Sequence, residues 1–225
     1  LSLISNHTIK SVCSGRTDTG VNAVNQIIHF DTDAERSSKS WIDGSNSFLP
    51  KSIRIKKIYH VDNDFHARFS AISRTYRYFI NTNPNINIFN SDYVWTIKDK
   101  LIMSRMKDSL KYLLGKNDFS SFRSSGCQSK SAIRNIIKLS MSKRKNIITF
   151  EIEANAFLYH MVRNIIGTLI DIGSAKISPI DIKKILQEKD RKACSKMAPA
   201  NALFLWKVSY PSKYKILLNS ESILM

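Results

Sequence analysis

Residues 132–172 read AIRNIIKLSMSKRKNIITFEIEANAFLYHMVRNIIGTLIDI, and the fold class follows from this stretch. Ala132–Met141 and Ile147–Ala154 are strand-like runs on either side of the basic loop Lys143-Arg144-Lys145-Asn146, the pattern of a β-hairpin. The next run changes period. Phe157, Leu158, Met161, Val162, Ile165, Ile166, Leu169 and Ile170 leave almost no polar side between residues 157 and 172, which predicts a buried central helix.

Upstream, Ala71–Ile80 alternates cleanly, with Ile72, Arg74, Tyr76, Tyr78 and Ile80 on one face. Gln26–Asp31 alternates isoleucine with polar residues, and Lys51–Val61 reads as a strand with interrupted alternation. Met103, Met106, Leu110, Leu113 and Leu114 recur at helical spacing and predict a helix over residues 99–114, with Gly115 placed to end it. Ser178-Pro179 supplies an N-cap and a first-turn proline for a shorter helix through Gln187, and Leu203–Tyr210 a last strand. Strands interleaved with helices, together with the hairpin, give a mixed α+β fold with a largely antiparallel sheet.

The chain of 225 residues carries 35 Lys+Arg against 18 Asp+Glu, a formal net charge of +17. Such an excess suits a polyanionic partner, nucleic acid foremost. The abundance of Ile, Lys, Asn and Ser offers a second source, compositional bias. Three widely spaced cysteines, Cys13, Cys127 and Cys194, suit a reducing compartment and suggest neither a disulfide framework nor a zinc pair. The histidines show no metal-ligand spacing. No apolar run reaches the length of a membrane span, so a cytoplasmic protein is expected.

Two places carry chemistry. Ser14-Gly15-Arg16-Thr17-Asp18-Thr19-Gly20-Val21 brackets a polar loop with glycines, so its backbone is free to turn tightly or approach a ligand. Arg16 and Asp18 project from it two residues apart, although spacing alone favours a simple turn in which Asp18 caps backbone N–H groups. Arg163, midway along the apolar helix, cannot lose its charge and needs an anionic partner or water. A polar stripe shared with His160 and Asn164 would let it reach solvent. A carboxylate partner would instead stay ionised beside it, as a nucleophile requires. The residues alone leave both open.

The segment Gly15–Val21 strongly resembles the catalytic motif of the TruA family of tRNA pseudouridine synthases, whose aspartate matches Asp18. Further blocks follow in the family's order. They are Leu49-Pro50, Phe65–Ala71 with Arg68, the tyrosine strand Arg74–Tyr78, Asp118–Arg123, Phe157–Gly167 with Arg163, and Ala198-Pro199 with Leu203–Leu205. The resemblance implies a pseudouridine synthase fold, α+β, with a mostly antiparallel central sheet from two related halves flanked by helices. An N-terminal half over residues 1–82, a C-terminal half over 83–211 and a tail over 212–225 are expected. It implies isomerisation of uridine to pseudouridine at positions 38–40 of the tRNA anticodon stem-loop, a homodimer, and neither cofactor nor metal.

In the roles so implied, Asp18, Tyr76 and Arg163 are catalytic, and Arg16, Arg68 and Leu203 bind substrate. Tyr76 would stack on the uracil, Arg163 would hold Asp18 ionised, Arg16 would fill the space left by the flipped base or hold a phosphate, and Leu203 would form an apolar wall. The other reading is a non-catalytic RNA-binding protein or chaperone on the same scaffold, which has no need of a buried carboxylate.

Two positions depart from the family pattern. Asn22 stands where histidine is usual, so no proton shuttle is assigned there, and Ala202 replaces a glycine before Leu203. At the front, roughly forty residues, about one strand–helix unit including a Gly-Trp-Gln segment, precede the matching region in the family. An exposed apolar surface and a vacant position beside the strand at Gln26–Asp31, or beside its neighbour, are therefore expected.

Overall fold

The computed structural model describes residues 1–85 and 88–216. In chain order its regular elements are α1 (Ser2–Ser5), β1 (Val12–Cys13), β2 (Asn22–Ala23), β3 (Ile28–His29), α2 (Ser38–Phe48), β4 (Ser73–Asn81), β5 (Trp95–Thr96), α3 (Met103–Leu110), β6 (Gly115–Asp118), β7 (Ile133–Arg144), β8 (Ile147–Ala154), α4 (Met161–Gly173), α5 (Asp181–Glu188) and β9 (Leu203–Ser209). They fall into two compact units. The larger comprises Thr17–Asn25 and Ile72–Ser209, the smaller Leu1–Arg16, Gln26–Ala71 and residues 210–216. Of the expected tail, residues 217–225 lie outside the described residues.

The larger unit is built on a sheet of order β2-β9-β4-β8-β7-β6, with β5 also beside β4. β4 runs antiparallel to both β8 and β9, and β6–β7 and β7–β8 are antiparallel too. Only β2–β9 and β4–β5 are parallel among the described pairings. This is the expected α+β class with a mostly antiparallel sheet. One face supplies Tyr78, Ile80, Phe150 and Ile152 to the main core, where they join Met161, Ile165, Ile166 and Leu169 of α4. Ile165 is completely buried, so Ile165→Ala is expected to cost about 2–5 kcal/mol of stability. The other face has a smaller cluster of Phe79, Val94, Phe204 and Trp206.

The hairpin is present and longer than the alternation suggests. Lys143 pairs with Ile148 and Arg144 with Ile147, because exposed side chains at the tip do not interfere with ladder hydrogen bonds. Elsewhere tertiary contacts override local pattern. Helix α3 occupies only the middle of the expected 99–114 span. The Ile102 amide donates to Gly173 O at 2.8 Å, which holds the chain extended before the helix. After Leu110 a tight turn buries Leu113, and Gly115, at φ +81, opens β6 rather than capping a helix. Helix α4 begins at Met161, not Phe157, since the Tyr159 carbonyl accepts from Ser124 N and the Tyr159 amide donates to Cys127 Sγ. Ser178-Pro179 forms a turn ahead of α5, where Asp181 Oδ2 accepts from Ser178 N at 2.8 Å.

In the smaller unit, β1 pairs antiparallel with β3, a shorter strand than Gln26–Asp31. Ser14 Oγ and Gly15 O instead bind the Gln26 side chain. Lys51–Val61 forms no strand. The Ile55 backbone is satisfied by the Asn46 amide, which accepts from Ile55 N at 2.8 Å and donates to Ile55 O at 3.0 Å, so a side chain replaces a neighbouring strand. Phe65, Ala67 and Tyr214 form this unit's buried cluster. An apolar groove of about 340 Å³ is lined by Leu1, Leu3, Ile28, Phe48, Ile53 and Ile55, among others.

Candidate active site

Asp18 sits in a turn closed by its own carbonyl, which accepts from Val21 N at 3.0 Å. Gly20 takes φ +83 there, a conformation open to glycine at no steric cost. The loop is then fastened to β9. Asn22 pairs with Phe204, its Nδ2 donates to Asn201 O at 2.7 Å, and Val24 N donates to Leu205 O at 2.9 Å. Asn22 thus does structural work at the position where no proton shuttle is assigned.

Arg163 lies in the first turn of α4, and the segment after α5 runs close over that helix. At Gly167 an added Cβ would stand 1.9 Å from Lys196 O, so only glycine admits this approach. The segment is locked to α4 twice. Ala198 N donates to Arg163 O at 3.1 Å, and Arg163 Nε donates to Ala198 O at 2.8 Å. With Nε fixed, Nη1 reaches Asp18 Oδ2 at 3.0 Å in a charge-assisted hydrogen bond. The side chains are 11% and 20% exposed respectively. The solvent-facing alternative for Arg163 is therefore excluded.

A contact that sequence reasoning did not assign completes the carboxylate's surroundings. His160 Nε2 lies 3.4 Å from the same Asp18 Oδ2, with the imidazole side chain 16% exposed. The residue has φ +61, left-handed backbone that costs an ordinary L-residue about 1–2 kcal/mol and that histidine adopts more readily than most. Its ring stacks on Tyr159 with centroids 3.6 Å apart. Burial lowers the His160 pKa from its ordinary value; Asp18 opposes that shift while Arg163 and Arg191 reinforce it. Among the described residues no donor meets Asp18 Oδ1.

Tyr76 stands on β4 opposite Leu205 and Ile152, next to a bulge at Thr75/Tyr76, and meets Phe157 edge-on at 5.0 Å. Burial, and then the negative charge of Asp18, push its pKa up to about 12, so the phenol keeps its proton at neutral pH. Leu203 is buried in the main core opposite Tyr78, whose hydroxyl donates to Pro199 O at 2.9 Å. Ala202 is completely buried, and its carbonyl accepts from Phe79 N.

The two remaining arginines belong to the smaller unit. Arg16 is exposed. Arg68 stands 5.6 Å from the ring centre of Phe69, which is 76% exposed. The larger unit thus brings Asp18 and Arg163 into contact, with Tyr76 close enough to feel the carboxylate. Among the described residues no group of three or more His, Cys, Asp or Glu side chains is arranged to hold a metal ion. No helix there is long and apolar enough to cross a membrane.

A family model described as tRNA pseudouridine synthase matches residues 110–211, which include β7, β8, α4 and β9. Curated relatives match nearly the whole chain. A tRNA pseudouridine synthase A of Legionella pneumophila (strain Lens) is 44% identical over 221 residues, 98% of this chain and 84% of the relative. This chain belongs to the TruA family of tRNA pseudouridine synthases, which are isomerases. Similar proteins of the same printed name occur in Francisella philomiragia, 45% identical over 94% of this chain and 82% of the relative, and in Buchnera aphidicola, 45% over 96% and 81%. The stretch matched by the Legionella relative takes in both the Asp18 loop and α4.

Proposed function

We propose that this protein isomerises uridine to pseudouridine in tRNA, at positions 38–40 of the anticodon stem-loop. The observation that carries the reading is a carboxylate held through one oxygen by a fixed guanidinium while its other oxygen meets no donor among the described residues. In the reaction the N1–C1′ bond breaks, the uracil turns, C5 bonds to C1′, the C5 proton leaves and N1 gains one. The target base has to leave its stack before a carboxylate reaches it.

In this reading Asp18 is the catalytic carboxylate. Arg163 supplies a permanent positive charge that keeps it oriented and anionic. Tyr76, protonated at neutral pH, stacks on the uracil and relays the C5 proton through its hydroxyl. Arg16 fills the space left by the flipped nucleotide or binds a phosphate, Arg68 binds phosphate or supports the active-site loop, and Leu203 walls the base. The net charge of +17 supplies the electrostatic part of tRNA binding. The protein works as a cytoplasmic homodimer without metal or cofactor.

Expression of the chain in a bacterium deleted for its own enzyme of this family tests the reading. Pseudouridine restored at positions 38–40 is the expected result. Conversion at other positions overturns the site assignment, and tRNA binding without conversion identifies a chaperone.

A further inference from the structure

We infer that His160 is a positioning residue for Asp18: its neutral imidazole, through an Nε2–H, joins Arg163 in fixing Oδ2 and so leaves Oδ1 as the oxygen that reacts. The inference rests on the proposed catalytic role of Asp18 and goes further, by naming a second group that acts on the carboxylate and the atom that does the chemistry.

Three observations converge. The first is asymmetry: Arg163 Nη1 at 3.0 Å and His160 Nε2 at 3.4 Å both address Oδ2, whereas among the described residues none addresses Oδ1. A carboxylate rotates about its Cβ–Cγ bond, and one clamp leaves that rotation partly open. A second donor on the same oxygen restricts it and orients the free oxygen's lone pairs.

The second observation is how His160 is held. It takes left-handed backbone immediately before α4, and its carbonyl accepts from Asn164 N at 3.0 Å. Its ring is fixed by the stack on Tyr159. Tyr159 is anchored in turn through Ser124 N and Cys127 Sγ. Backbone in a sparsely populated region, held there by a hydrogen bond and a ring stack, is characteristic of residues whose placement matters to a site. A helical His160 would put the imidazole elsewhere. The 3.4 Å separation is longer than a formed hydrogen bond, and such contacts tighten when substrate closes the site.

The third is charge. The groups that face the imidazole are Asp18, Arg163 and Arg191, with Tyr159 stacked on its ring. Burial and two guanidiniums favour the neutral ring, so at neutral pH His160 orients the carboxylate without adding a positive charge that would blunt its reactivity. As pH falls through the lowered His160 pKa, that charge appears and the rate falls.

The test compares His160→Gln, whose amide nitrogen reaches the position of Nε2, with His160→Phe, which keeps the ring stack but has no donor. Single-turnover pseudouridine formation, tRNA Kd and the pH–rate profile are measured for both and for the wild type. His160→Phe is expected to lower the rate about ten-fold with Kd unchanged. His160→Gln is expected to stay within about three-fold of the wild type and to lose the acid limb below the ordinary histidine value. A wild-type rate in His160→Phe overturns the inference, as does a His160→Gln as slow as the Phe variant or one that keeps the acid limb. If left-handed backbone prevents His160→Phe from folding, the glutamine variant alone decides. Wild-type protein that makes no pseudouridine defeats the functional reading instead, so the two failures are distinguishable.

Discussion

Two carboxylates in the larger unit are each gripped by an arginine, yet they differ in what is left over. On the outer side of the sheet, Glu151 Oε2 accepts from Arg77 at 2.7 Å and Oε1 from Lys138 Nζ at 2.8 Å. Arg77 also lies 4.0 Å over the Trp206 ring. Each carboxylate oxygen of Glu151 is engaged by a cation on a neighbouring strand. Asp18 has both its basic neighbours on one oxygen and none, among the described residues, on the other. An acid–arginine pair is therefore weak evidence of function by itself. The open oxygen separates a pair that holds strands together from one able to attack or accept a proton.

Exchanging the two carboxylates for amides should break this symmetry most visibly. Asp18→Asn is expected to lower turnover by about 10³-fold or more, while Glu151→Gln leaves the rate within about two-fold, both read as pseudouridine formed per protein. A comparable loss in both variants would show that the open oxygen is irrelevant. Removing the arginines comes next. Arg163→Leu should lower the rate by about 10²-fold with a much smaller change in tRNA Kd, whereas Arg77→Leu should act on the melting temperature alone. Tyr76→Phe keeps the ring and deletes the hydroxyl. If that hydroxyl relays a proton, the rate falls by about 10²-fold; an unchanged rate would confine Tyr76 to stacking.

The smallest effect belongs to the outer pair itself. Burial raises the Glu151 pKa, but hydrogen bonds from Lys138 and Arg77 outweigh it, and the net shift is downward from 4.5. A carboxylate whose folded pKa is depressed stabilises the fold above its unfolded value. That contribution fades as pH falls through the folded value. Glu151→Gln should therefore reduce stability near neutral pH by at most about 1 kcal/mol, and the difference should vanish in acid. Thermal melts of both proteins at several pH values check it, and a gap that widens in acid would contradict the sign.

Much of the larger unit was legible because its sequence periods are long and uninterrupted. The hairpin, β4, β9 and the apolar body of α4 follow from alternation or helical spacing. What escaped was set by partners distant in sequence. Residues 99–102 look helical until Ile102 N meets Gly173 O, and Lys51–Val61 looks like a strand until Asn46 takes its place. Arg163 was visible as a cation in an apolar run, which requires a partner. The identity of that partner needed the resemblance, since nothing in spacing links residue 18 to residue 163. In the sequence His160 belongs to the same polar stripe. Its signal was hidden because positive φ at a histidine leaves no trace in hydrophobic pattern, and that backbone is what turns the ring onto Oδ2.

In the proposed mechanism Asp18 performs chemistry and is not needed merely to hold the loop or the RNA. The most direct test incubates stoichiometric Asp18→Asn protein with unmodified tRNA and measures bound tRNA and pseudouridine in the same sample. Binding at the wild-type Kd with no detectable pseudouridine is the predicted result. Substantial pseudouridine from that variant would show that the carboxylate is dispensable for the chemistry.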